Sequence, residues 1–222
     1  MPSKNSLKEY VAESYYHIYN RGVEKRIIFQ DDLDYQVFLS YFKVALSPDD
    51  ADDDQIKQID TALLPGSERL RRLRLHEEVE LLAFCLLPNH FHLMLYQHSE
   101  RGIQKLMQSV MTGYVMYFNK RNERVGGLFQ GRYKASMIGN DAYLQHISRY
   151  IHLNTIDAGD RPETYEYSSY PFYLGKSQAK WMKPQRILKL FNNVQQYVDF
   201  VHDYEDYKRV LNQTKRQLAG ID

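Results

Sequence analysis

The stretch Leu87-Pro-Asn-His-Phe-His-Leu-Met94 sets two imidazoles, His90 and His92, on either side of one bulky apolar residue, Phe91. On a strand the side-chain period is two, so both histidines leave one face and Phe91 leaves the other. Paired imidazoles on one face of a buried strand can hold a divalent metal. A useful site needs a third protein ligand and open positions for substrate. The segment 142–153, which patterns as a helix, supplies candidates. Tyr150 and Asn154 are four residues apart, so they share a helix face about 5–6 Å apart at Cβ. If that face lies over the histidine pair, Asn154 can offer its amide oxygen to the metal, and Tyr150 can present its phenol beside the metal-bound group. Nitrogen and oxygen ligands without a thiolate suit Mg²⁺ or Mn²⁺. Tyr143 is the competing phenol, but Ile147, not a ligand type, stands four positions after it. His152 is a weaker candidate for a ligand or proton carrier, and His17 reads as structural or substrate-adjacent.

The elements that must position these groups can be read from pattern. Residues 14–20 are rich in β-formers, and Arg21-Gly22 breaks them. Tyr35, Phe38, Leu39, Phe42 and Leu46 follow helical spacing behind Asp31-Asp32, and Ser47-Pro48 ends the run. Residues 48–76 form an insertion, acidic then basic, with a short helix. The apolar run 79–87, the Pro88-Asn89 turn and the run 90–96 read as an antiparallel hairpin. Ile103, Leu106, Met107, Val110, Met111, Tyr114, Val115 and Phe118 mark an amphipathic helix. Gly126-Gly127 is a loop, and 128–138 reads as a strand. Asn140 or Asp141 caps the helix over 142–153. The tail carries helical segments near 185–192 and 194–215. The order strand, helix, two strands, helix, strand, helix predicts an α+β fold, an antiparallel central sheet with packed helices. Residues 1–160 would form the domain, and 161–222 a helical C-terminal accessory extension.

Composition narrows the class. The 222 residues carry a formal net charge of +1, with 43% hydrophobic and 26% charged residues, as in ordinary globular proteins. The neutral total hides an uneven distribution. Between Arg101 and Lys134 there are seven basic residues against one acid, Glu123, whereas Asp49 to Asp60 holds six aspartates and one lysine. Arg21, Lys120, Arg121, Arg124, Arg132 and Lys134 are therefore candidates for nucleic-acid phosphate contacts. On a strand, Arg132 and Lys134 would share one face. The single cysteine, Cys85, excludes an internal disulfide and a cysteine-based zinc site. The N-terminus lacks the apolar core of a signal peptide and no stretch approaches a membrane span, so a cytoplasmic protein with no membrane partner is expected. Tyr165, Tyr167, Tyr170, Phe172, Tyr173 and Trp181 in the tail could stack on bases; covering the core is the expectation.

Four segments in order carry a family resemblance. Pro88-Asn-His-Phe-His-Leu-Met94 resembles the histidine–apolar–histidine (HUH) motif of single-tyrosine transposases. Arg149-Tyr-Ile-His-Leu-Asn154 is similar to the Tyr-Ile-His-x-Asn-Pro segment of the REP-associated tyrosine transposases. Tyr16-His-Ile-Tyr-Asn-Arg-Gly22 and Leu128-Phe-Gln-Gly-Arg-Tyr-Lys134 resemble that family's first strand and the strand before its catalytic helix. Thr155 stands where the family usually has proline, a change that bears on the helix end. The resemblance implies a ferredoxin-like, RRM-like sheet with the histidines on a central strand. It also implies that Tyr150 is the nucleophile, with His90, His92 and Asn154 around a divalent ion. Tyr150 would attack a phosphodiester of single-stranded hairpin DNA to give a 5′-phosphotyrosine and a 3′-hydroxyl, which could be rejoined without ATP. Dimers are common among such enzymes, so a homodimer is possible. The runner-up is a domesticated, non-catalytic hairpin-binding protein. A replication-type nickase is disfavoured, because no GxxxxGK[ST] loop is present.

Overall fold

The structure is a computed structural model that describes residues 10–48 and 61–204. Strand β1 (Ser14–Arg21) is followed by helix α1 (Asp32–Leu46) and a short helix α2 (Ser67–Arg72). Then come β2 (Val79–Leu87), β3 (His90–Gln97) and the long helix α3 (Gly102–Arg121). β4 (Lys134–Ile138) and α4 (Asp141–Leu153) follow, with α4 running into a 3₁₀ turn over Asn154–Ala158. Short helices α5 (Tyr170–Tyr173) and α6 (Gln185–Leu188) precede α7, described over 194–204. The acidic stretch at 49–60 and the predicted helical residues after 204 lie outside the described residues. Among the described residues, no helix is long and apolar enough to cross a membrane.

All pairings are antiparallel, in the order β2-β3-β1-β4. With α1 between β1 and β2 in sequence and α3 between β3 and β4, this is the βαββαβ ferredoxin-like arrangement expected from the sequence, with α2 as an addition. The pleat divides the core in two. Tyr16, Ile18, Phe91, Leu93 and Leu95 point to one face, where Phe38, Tyr41 and Phe42 of α1 and Leu106, Val110, Tyr114 and Phe118 of α3 cover them. Cys85, Leu87, Met94 and Tyr96 point to the other, beneath Leu144, Ile147 and Ile151 of α4 and Tyr170, Tyr173, Ile187 and Tyr197 of the extension. Each such large side chain, removed from water, contributes roughly 1.5–3 kcal/mol before the entropy of ordering it. The tail aromatics do cover the sheet: Tyr170, Tyr173 and Trp181 are buried.

The extension also closes the outer edge of β2. Leu86 N–H donates to Tyr167 O, Ser169 N–H to Phe84 O and Lys183 N–H to Leu81 O, each at 2.9 Å. An exposed row of strand amides and carbonyls is thereby paired. Glu80 on β2 adds an ion pair to Arg186.

The strand predicted over 128–138 is shorter than expected. Gly131 has φ near 124°, a conformation that favours glycine and breaks the ladder. Upstream of it, Phe129 bridges Gly22 and Gln130 N–H donates to Arg21 O at 2.8 Å. Downstream, Lys134–Ile138 pairs with β1. Arg132 therefore sits exposed in the excursion between them, not on a strand face shared with Lys134.

Candidate active site

The histidine pair lies at the end of β3 because the preceding turn is held from outside. Gly22 N–H donates to Asn89 O at 2.9 Å, and Ile28 and Phe29 N–H both reach Pro88 O, at 2.7 and 3.1 Å. Asn89 Nδ2 donates to Lys25 O at 3.2 Å. Only glycine fits at position 22: a Cβ there would lie 2.2 Å from Arg26 O. The loop after β1 thus clamps the turn that aims His90.

Register then builds the site. Tyr19 of β1 stands opposite His92, and Arg21 opposite His90; Lys134 of β4 stands opposite Tyr19. Alternation puts all five on one face, together with His17. The His90 and His92 ring centroids are 5.2 Å apart. Each Nδ1 is engaged by a neighbour: His90 Nδ1 lies 2.6 Å from Asn89 Oδ1, and His92 Nδ1 lies 2.9 Å from His17 Nε2. His92 is only 6% exposed and His17 8%. Burial pushes the His17 imidazole down to about 4, because a charged ring is disfavoured away from water.

Helix α4 delivers the phenol. Asn140 caps it, accepting from Tyr143 N–H at 2.8 Å, as the sequence allowed. Leu144, Ile147 and Ile151 seat one side of the helix in the core, which leaves Tyr150 43% exposed on another. The Tyr150 ring meets His92 edge-on at 5.4 Å between centroids and His17 at 5.9 Å. Partial burial raises its pKa, and a hydrogen bond from the Asn154 side chain acts against that rise. Asn154, almost wholly buried, also donates its Nδ2 to Tyr150 O at 2.8 Å, which ties the helix end to the tyrosine it carries. Tyr143, the alternative nucleophile, is exposed on the first turn of α4.

The expectations for other residues are corrected. His152 is not available to a metal or a travelling proton. It is fully buried, with Nδ1 2.7 Å from Tyr197 Oη and Nε2 2.8 Å from Ser169 Oγ. It fastens α4 to the extension. Arg121 was expected among phosphate contacts, but it pairs with Asp31 and Asp34 at the start of α1. Arg124 turns back onto Asn119 Oδ1 at 2.6 Å, with its guanidinium over the Phe118 ring. Lys120 is exposed at the end of α3, on the sheet face away from the histidines. Arg21 and Lys134 are the two predicted cations brought to the site; Lys134 Nζ lies 5.8 Å from the Tyr19 ring centroid.

Tyr19 and Asn89 lie at the site without having been singled out for it, and His17, read as structural or substrate-adjacent, contacts His92 directly. The signal was present: His17, Tyr19 and Arg21 alternate on one strand just as His90 and His92 do on another.

Among the described residues, no three or more His, Cys, Asp or Glu side chains are grouped to hold a metal ion. A cation here would rest on the two imidazoles plus an amide or water oxygen. That donor set fits a divalent ion of the Mg²⁺, Mn²⁺ or Zn²⁺ type.

A central sheet presenting a histidine pair to a helix-borne tyrosine, with cations on the flanking strands, defines the class: an α+β protein of ferredoxin-like topology with a His–His–Tyr cluster on one sheet face. Comparison with known proteins gives two likenesses. Residues 65–154, which span the hairpin, α3 and the helix to Asn154, match the family model described as transposase, IS200-like. The fold is also that of a solved REP-associated tyrosine transposase bound to a REP hairpin, with TM-score 0.50 and 14% identity, covering 80% of this chain and 90% of that one. No curated protein matches. The first likeness covers the middle of the chain, and the second shows a shared fold.

Proposed function

We propose that the protein is a metal-dependent strand-transferase that cleaves and rejoins single-stranded hairpin DNA through Tyr150. The observation that carries this reading is the half-exposed Tyr150 ring, set 5.4 Å from that of His92. A tyrosine kept only for packing would be turned inward with Ile147 and Ile151.

His90, His92 and Asn154 would hold the divalent ion. When bound, it supplies charge neutralisation at the non-bridging phosphate oxygens and fixes the phosphate's orientation. The rest falls to the chain itself. Arg21 and Lys134 stand in register with His90 and Tyr19 and can hold flanking phosphates; the buried Nε of Arg21 has no partner. Tyr150 Oη attacks phosphorus, a Tyr–O–P bond forms and the P–O3′ bond breaks. The phenol gives up one proton and the departing 3′-oxygen takes one, so the step is balanced without water or ATP. Because the phosphotyrosine keeps the ester bond energy, a 3′-hydroxyl can reverse the step.

Labelled hairpin DNA incubated with Mn²⁺ and run on a denaturing gel tests this. The wild-type chain should give an SDS-resistant adduct. Tyr150→Phe should bind the hairpin equally and give none. An adduct that persists in Tyr150→Phe removes Tyr150 as nucleophile. Tight hairpin binding with no cleavage under any divalent ion would leave the non-catalytic binder as the function.

A further inference from the structure

We propose that His17 is a positioning residue that fixes the tautomer of His92, by accepting a hydrogen bond from His92 Nδ1–H so that Nε2 is the ligating nitrogen. The inference rests on the metal-site reading above. A single proton lies between His92 Nδ1 and His17 Nε2, 2.9 Å apart. If His17 donated it, neutral His92 would carry its own proton on Nε2 and could not bind a cation there. If His92 donates it, Nε2 keeps its lone pair.

The companion imidazole shows which choice makes the pair alike. Asn89 Oδ1 can only accept, so at 2.6 Å from His90 Nδ1 it requires the proton on Nδ1. His90 and His92 then present the same nitrogen. The rings of His17 and His92 are nearly parallel, with 21° between planes and 5.1 Å between centroids, and both are buried. Because no three of the described His, Cys, Asp or Glu side chains converge as a ligand group, His17 acts on the cation through His92 and not as a third imidazole. Metal-binding histidines generally rely on such a partner at the second nitrogen, and its loss costs 10–100-fold in affinity.

The test is Mn²⁺ titration of the full chain, followed by the EPR signal of free Mn²⁺, in wild type, His17→Leu, His17→Gln and His92→Ala. His17→Leu should weaken Mn²⁺ binding about 10–100-fold. His17→Gln, whose amide oxygen can accept the same bond, should recover most of the loss. His92→Ala should abolish binding. Wild-type affinity in His17→Leu alongside loss in His92→Ala would overturn the inference and leave the metal site standing. Loss in both His17 variants as complete as in His92→Ala would overturn it by making His17 a ligand. Wild-type affinity in His92→Ala would instead overturn the metal reading beneath it. Should His17→Leu not fold, ¹⁵N spectra of the wild type loaded with Zn²⁺ decide: a protonated His92 Nδ1 supports the proposal, and a protonated His17 Nε2 refutes it.

Discussion

Replacing Arg121 by alanine separates two roles for one cation. Asp34 is completely buried. Its Oδ1 accepts from Arg121 Nη1 at 2.5 Å and from Tyr117 Oη at 3.0 Å, and its Oδ2 accepts from Gln30 N–H at 2.8 Å. Removing the partner of a buried charge costs about 3–5 kcal/mol. Here the two remaining donors soften the loss, and the Arg121 side chain is 31% exposed, so roughly 2–3 kcal/mol is expected. For a chain of this size, each kcal/mol moves Tm by about 2–4 °C, so Tm should fall by roughly 4–12 °C. Adding Asp34→Asn should restore part of it, since a neutral amide needs no counter-charge. Hairpin affinity at a temperature where both proteins are folded should be unchanged, and so should its dependence on salt. The reasoning fails if Arg121→Ala melts like wild type but loses hairpin affinity with a salt slope shallower by about one. That outcome would make the guanidinium a phosphate contact.

Other perturbations have defined outcomes. The Arg121 guanidinium holds Asp31 down to about 2, below its ordinary 3.8. Its contribution is present above pH 3.8 and is lost as pH falls toward 2, so acid unfolding curves of wild type and Arg121→Ala should converge across that window. His152→Leu keeps the volume but strips hydrogen-bond partners from Tyr197 and Ser169; a loss of about 1–3 kcal/mol in chemical denaturation is expected, and an unchanged midpoint would refute the role given to that network. Gly22→Ala must push a Cβ into Arg26 O, so about 1–3 kcal/mol should be lost, with Mn²⁺ binding weakened as the clamped turn shifts. Arg21→Ala should lower hairpin affinity and flatten the salt slope by about one while leaving Tm within about 1 °C.

Local pattern made the scaffold legible. The apolar spacing of α1, α3 and α4 and the near-continuous apolar run of β2 reflect which face each element buries, so their boundaries follow from the residues themselves. The placement of candidate groups on single elements was legible for the same reason: His90 with His92 on one strand, Tyr150 with Asn154 at the end of one helix. Pairings across the chain were not. His17 reaches His92 across 75 positions and Arg121 reaches Asp34 across 87, distances over which alternation within either segment says nothing. β4 was drawn too long because its composition suits a strand throughout, while one glycine conformation at Gly131 decides where the ladder stops.

The pairing of the tail with β2 also has a consequence for how the chain is made. β2 is synthesised roughly 80 to 100 residues before Tyr167, Ser169 and Lys183, the groups that hydrogen-bond to its outer edge. The helix bearing Tyr150 likewise emerges before Tyr197, which anchors it through His152. On the ribosome, the first part of the protein must wait with one strand edge unpaired and the Tyr150 helix unanchored. The candidate site is completed late in translation, with the last anchor.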